Sequence, residues 1–267
     1  MVAVDVIIEI ALIVAAAVLF AAALRRGGRA GMMLLSAGNA SVLTLVALQI
    51  NLVWLTDLDT SMWNWVDLHR GNRGLRELAG HTFEFIGKPV HVAIAGVASG
   101  TLLAWRARSP LRAVVVIGAV GIGAIVEQIF KAVVTRTPDN LAKLGDGSPF
   151  DMAKVAEFAH SYPSGHVTGA ATLLGMIAVC ASAGRSRPTK ATWAAVVVVS
   201  VLFVAALALF VRAHLFGDVI GGMFLGAAVV AAGSAIIHRP SVESAHDRSR
   251  RPRRASDRSP GNRRRDP

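Results

Sequence analysis

Serine, glycine and histidine stand together in Pro163-Ser164-Gly165-His166, where a charged stretch gives way to an apolar run. At the start of a helix this trio aims a hydroxyl, unpaired backbone N–H groups and an imidazole at one point. The first turn of a helix favours an anion, because its N–H groups lack partners and the dipole is positive there. Two other clusters carry complementary chemistry: Lys131-Ala-Val-Val-Thr-Arg136-Thr-Pro138 and Arg212-Ala-His214-Leu-Phe-Gly-Asp218. Lys131, Arg136 and Arg212 are expected to surround a phosphoryl group and neutralise its oxygens. Ser164 and the N–H groups near Gly165 would add hydrogen bonds, glycine allowing a close backbone approach. Phosphoryl transfer to water through a covalent intermediate needs a nucleophile and an acid. His214 and Asp218 are four residues apart, so on a helix the carboxylate can hold one imidazole nitrogen and leave the other to attack. His214 is then the expected nucleophile and Asp218 the residue that orients it. His166, with no such partner in sequence, is the expected general acid.

The elements that must position these clusters are apolar. The chain is 54% hydrophobic yet carries a net charge of +11. Its apolar runs, near 6–24, 33–55, 89–105, 111–134, 165–183, 191–211 and 215–237, each approach the roughly 20 residues a membrane helix needs. They lack the charged face of an amphipathic soluble helix. The expected fold is therefore an all-α polytopic membrane helix bundle.

Loop charge sets the expected topology. The connections 25–29, 106–112 and 185–190 each hold three basic residues and no acidic one, and the tail from Arg239 holds ten arginines against four acids. Segments 56–88 and 135–163 hold slightly more acid than base. The positive-inside rule puts the first set in the cytoplasm and the second outside, giving seven spans with the N-terminus out and the C-terminus in. All three chemical clusters then fall at outer ends of spans, the depth agreement one site requires. Asp5 and Glu9 precede the first apolar run and Arg25 and Arg26 follow it, the reverse of a secretory signal, so an uncleaved anchor is expected.

Other polar residues have plainer readings. Glu127 and Lys131 share a helical face and can pair. Ser36, Asn39, Thr44, Gln49 and Asn51 make the second run polar, and helix–helix hydrogen bonding is the expected use. Cys180, the only cysteine, reads as a small buried apolar residue. The arginine-rich tail is too polar to fold alone and is expected to lie on anionic lipid headgroups, with no nucleic acid as partner.

These motifs resemble the type 2 phosphatidic acid phosphatase superfamily, whose pattern is Lys-x6-Arg-Pro, Pro-Ser-Gly-His and Ser-Arg-x5-His-x3-Asp. The resemblance covers roughly residues 33–237 and implies a six-helix phosphatase core, with the span at 6–24 as an addition before it. The implied division is 1–31 for the added helix and its turn, 32–238 for the core, and 239–267 for the tail. The stretch 56–88, with Asp59, Trp63, Trp65 and His81-Thr-Phe-Glu-Phe-Ile-Gly87, is similar to the family's interfacial region. Pro163-Ser164-Gly165-His166 and His214-x3-Asp218 fit the pattern. At the two arginine positions this chain has Pro138 and Ala208, and the preceding serine position holds Leu207. Arg136 lies two residues before the first. Arg212 lies four after the second, one turn further along the same helix face.

The resemblance implies a phosphatase for a lipid phosphate or diphosphate, acting without metal or cofactor through a phosphohistidine. An inner (plasma) membrane location with the site facing outward follows from loop charge, composition suggesting a bacterial source. Two alternatives stand beside it. One is transfer of the head group to a lipid or sugar hydroxyl. The other is a catalytically impaired, lipid-binding or transporter-like relative, which the displaced arginines would explain.

Overall fold

The computed structural model describes residues 2–69, 71–144 and 156–237, with side chains from residue 6. The arginine-rich tail, and its expected place on lipid headgroups, lies outside these residues. Among the described residues every regular element is helical. In chain order they are α1 (Val2–Arg26), α2 (Gly28–Gln49), α3 (Val53–His69), α4 (Arg73–Gly87), α5 (Pro89–Ala107), α6 (Pro110–Val133) and the short α7 (Pro138–Ala142). A 3-10 turn, Glu157–His160, leads to α8 (Gly165–Ser182), α9 (Arg187–Phe210) and α10 (Phe216–Ile237). Seven helices, α1, α2, α5, α6, α8, α9 and α10, are long and apolar enough to cross a membrane, as the apolar runs predict.

Local sequence explains where these helices begin and stop. Pro89 and Pro110 open α5 and α6, where a missing N–H costs nothing. Asn72 caps α4 by accepting from Leu75 N. The α1–α2 turn is a single residue, Gly27, at φ 56°, a left-handed conformation that suits glycine. The second span is accordingly shifted from the expected 33–55 to Gly28–Gln49. The chain breaks at 50–52 and restarts as α3, which supplies residues to the site instead of continuing the span.

Helices α8 and α10 form the centre and pack at close range. Gly222, Gly226 and Gly233 of α10 lie against Val167, Ala171 and Met176 of α8, and Gly175 of α8 against Val230. Any larger residue there would force the helices apart. Around them stand α2 against α10, α6 and α5 against α8, and α9 against α8, while α1 packs chiefly along α2.

The polar second span meets its expected use in part. Ser36 reaches α10, donating to Ala228 O at 2.8 Å. Asn39 and Thr44 donate to carbonyls of their own helix, and Gln49 accepts from Trp54 Nε1. Asn51 sits past the helix end, where it donates to Thr135 O and accepts from Thr137 N. It thereby clamps the strand of chain that carries Arg136.

Candidate active site

The N-terminus of α8, the N-terminus of α10 and the C-terminus of α6 meet at the end of the bundle that α3 and α4 cover. A backbone bond from Ser164 N to Asp218 O, 2.9 Å, ties the first two together. Tyr162, buried just before α8, donates from its hydroxyl to Leu43 O of α2 at 2.7 Å, fixing the approach to Ser164. His160 Nδ1 lies 3.0 Å from Lys131 O, joining that approach to α6.

His166 projects from the first turn of α8. Its ring stacks on Phe83 of α4 with centres 3.9 Å apart and planes 9° from parallel. Behind it lies Gly87, the last residue of α4; a Cβ at that position would overlap the imidazole. His166 is thus placed by packing. The His214 ring lies 5.9 Å away, centre to centre, at 63°.

His214 is placed by charge. It stands just before α10, with Nδ1 3.6 Å from Asp218 Oδ2, an ion-pair distance longer than a hydrogen bond. Asp218 is fully buried in the first turn of α10. It accepts from Arg136 at 2.8 Å, from Ser161 Oγ at 2.7 Å and from Leu215 N at 3.1 Å. Four residues from Asp218 to His214 suffice although His214 itself lies outside the helix.

The basic residues divide differently from expectation. Arg136 is 3% exposed, and its guanidinium lies between Asp218 and Asp59, 3.2 Å from the latter, with Ser161 Oγ at 2.9 Å. Its carboxylate partners hold it firmly charged despite burial. It anchors the residue behind His214 and does not stand open to a ligand. Arg212 is also reassigned. Helix α9 ends at Phe210, and Arg212 takes a left-handed φ of 56°, so it is not one turn further along the face of Ala208. Its guanidinium lies 3.6 Å over the Trp63 ring and 2.9 Å from Asp67 Oδ1, both on α3. Lys131 is paired with Glu127 at 2.6 Å.

Ser164 and Gly165 are placed where the sequence predicts, at the start of α8, but with partners inside the protein. Ser164 is fully buried and caps the helix, its Oγ 3.5 Å from Val167 N. Gly165 lies against the Glu127 carboxylate. The structure therefore brings His166, His214, Asp218, Lys131, Ser164 and Gly165 into one place, with Arg136 and Arg212 set behind them.

Sequence spacing missed the contribution of α3 and α4. Asp59 carries no motif, yet it accepts from Arg136 and from Gly217 N, the latter at 2.8 Å. Burial pushes its carboxyl above the usual range, against the pull of Arg136. Phe83 and Gly87 do the corresponding work for His166. The available signal was the resemblance of 56–88, with Asp59 and the stretch from His81 to Gly87, to the family's interfacial region, which marks the segment but not these contacts.

Residues 112–240 match the family model of the PAP2 superfamily. Among solved structures, the crystal structure of a transmembrane PAP2 type phosphatidylglycerolphosphate phosphatase from Bacillus subtilis is similar to this chain. The TM-score is 0.58 at 17% sequence identity, covering 82% of this chain and 99% of that one. Among curated proteins none matches the chain significantly. Family match and fold point to the same helices: the site-bearing part of this chain, from α6 to α10, is similar to the PAP2 superfamily.

Proposed function

We propose that this protein is a membrane phosphatase that hydrolyses a lipid phosphate or diphosphate at the outer face of the membrane. The observation that carries the reading is the pair of facing imidazoles, 5.9 Å apart, one of them backed by a buried carboxylate. Two histidines across one gap supply a nucleophile and an acid to opposite sides of a phosphorus atom. With Nδ1 of His214 directed at Asp218, the lone pair of Nε2 is left for attack.

In the first step His214 Nε2 forms a bond to phosphorus and the P–O bond to the lipid breaks. The departing oxygen takes the proton of His166. In the second step His166 takes a proton from water as that water attacks phosphorus, the P–N bond breaks and phosphate leaves. Both histidines return to their starting states, and every bond is accounted for by groups of this chain and water. Lys131 and the N–H groups at the start of α8 are left to stabilise the phosphoryl oxygens.

Two features favour a lipid substrate at the outer face. An apolar groove of about 500 Å³ runs between α2, α6 and α10, lined by residues such as Leu43, Val126, Phe130 and Leu225. Phe130 precedes Lys131, so a hydrocarbon chain in the groove would begin at the level of the site. The three arginine- and lysine-rich turns all lie at the end of the bundle opposite the histidines, the end the positive-inside rule assigns to the cytoplasm.

The test is phosphate release by the purified protein in detergent from a panel of lipid phosphates and diphosphates. Wild type should turn over at least one member, and both His214→Ala and His166→Ala should lose that turnover by several orders of magnitude. Wild-type release that survives in His214→Ala would remove the phosphohistidine route.

A further inference from the structure

Among the described residues, the three cations of the site each have a carboxylate at hand. Arg136 lies between Asp59 and Asp218, Arg212 beside Asp67, and Lys131 beside Glu127. The first two groupings serve α3 and the backing of His214. Glu127 differs, because it occupies the place where an anion is wanted. It is 8% exposed, one turn before Lys131 on α6, and its carboxylate rests against the Cα of Gly165. Any side chain at position 165 would collide with it.

A carboxylate suits the start of α8, where the helix dipole is positive. For the same reason it competes with a phosphoryl group. With the two arginines committed elsewhere, Lys131 and the first N–H groups of α8 are what remains among the described residues of the site for phosphoryl oxygens, and Glu127 engages the first and crowds the second.

We propose that Glu127 sets the charge of the anion this site accepts. It favours a phosphoryl group bearing one negative charge, such as a phosphodiester or a singly protonated phosphate monoester, over a dianion. This rests on the reading above, in which the phosphoryl group meets Lys131 between the histidines. The physical basis is charge balance. Lys131 with Glu127 is a neutral pair, so a dianion drawn to the lysine is repelled by the carboxylate in surroundings partly withdrawn from water. A monoanion meets about half that repulsion and needs fewer cations to bind.

Binding of small anions to the full chain in detergent, followed by phosphorus NMR line broadening, tests this without turnover. The probes are inorganic phosphate, held at a pH where it is a dianion, and dimethyl phosphate, a monoanion. Wild type should bind dimethyl phosphate at least as tightly as the phosphate dianion. Glu127→Gln keeps the shape and removes the charge; it should tighten the dianion by about tenfold or more, the scale of one charged contact, and dimethyl phosphate clearly less. A wild type that prefers the dianion overturns the proposal, as does a folded Glu127→Gln protein with unchanged ranking. So does a failure of either anion to bind either protein. If Glu127→Gln does not fold, the wild-type ranking decides alone. Lipid phosphate turnover is measured separately: the expected ranking without any turnover would sink the phosphatase reading and leave the role of Glu127 standing.

Discussion

The two histidines are held by opposite means. His166 lies in an apolar setting, its ring flat against Phe83 and its back to the bare Cα of Gly87. His214 lies at the end of a chain of charges that runs through Asp218 and Arg136 to Asp59. The difference suits their proposed tasks. An acid must present a proton at one position, and packing fixes position without adding charge. A nucleophile that becomes a charged phosphohistidine gains from a buried carboxylate behind it. That carboxylate in turn needs a countercharge, since an isolated buried charge is costly. Arg136 supplies it. Helices α3 and α4, which are not among the helices long and apolar enough to cross a membrane, thus carry one support each: α3 the ionic one and α4 the apolar one.

If the comparison is right, the two sides should fail differently. The largest effect is expected from Arg136→Met, which leaves Asp218 and Asp59 buried without the cation between them. It should cost about 3–5 kcal/mol of stability, read as a lowered Tm in detergent, and turnover should fall with it. An Arg136→Met protein as stable as wild type would show that the charge chain is not what holds α3 to α10.

Gly87→Ala should act on rate far more than on stability. Its methyl would push the His166 ring from its stack, and a displacement of about 1 Å in a catalytic group is worth roughly a hundredfold in kcat. Thermal melts should move little. A large loss of Tm with unchanged kcat would mean that Gly87 serves helix packing instead of the imidazole.

The smallest effect is expected from Asp59→Asn, which retains an acceptor for Gly217 N while giving up the charge. Loss of the ion pair is offset by relief from burying a carboxylate, so stability at neutral pH should change by no more than about 1 kcal/mol. The pH dependence is more telling. Because burial raises the Asp59 carboxyl, the folded protein holds that proton more tightly than the unfolded chain does. Wild-type stability contributed by this group should therefore be full below 3.8 and fall as pH rises through the raised value. Asparagine has no proton to lose and should flatten that part of the curve. An identical slope in both proteins would assign the dependence to another group.

Much of this molecule was legible before any coordinates. The apolar runs predict seven helices and the structure has them, because a membrane span is specified by length and composition alone. The positions of Ser164, Gly165 and His166 at a helix start were equally readable, since the cap, the glycine and the apolar run that follows are local signals. His214 and Asp218 were paired correctly by their spacing, although the helix begins between them.

The arginines were not legible in this way. Lys131, Arg136 and Arg212 look alike in sequence, as cations near the ends of spans. Which of them faces a ligand depends on where acids from distant segments arrive, and those acids lie 77 residues from Arg136 in the case of Asp59 and 145 from Arg212 in the case of Asp67. Local pattern determined the spans, the helix start that carries His166 and the spacing of His214 from Asp218. Tertiary structure decided the partners, because ion pairing and ring stacking depend on separation in space, and sequence spacing predicts that separation only within one helix.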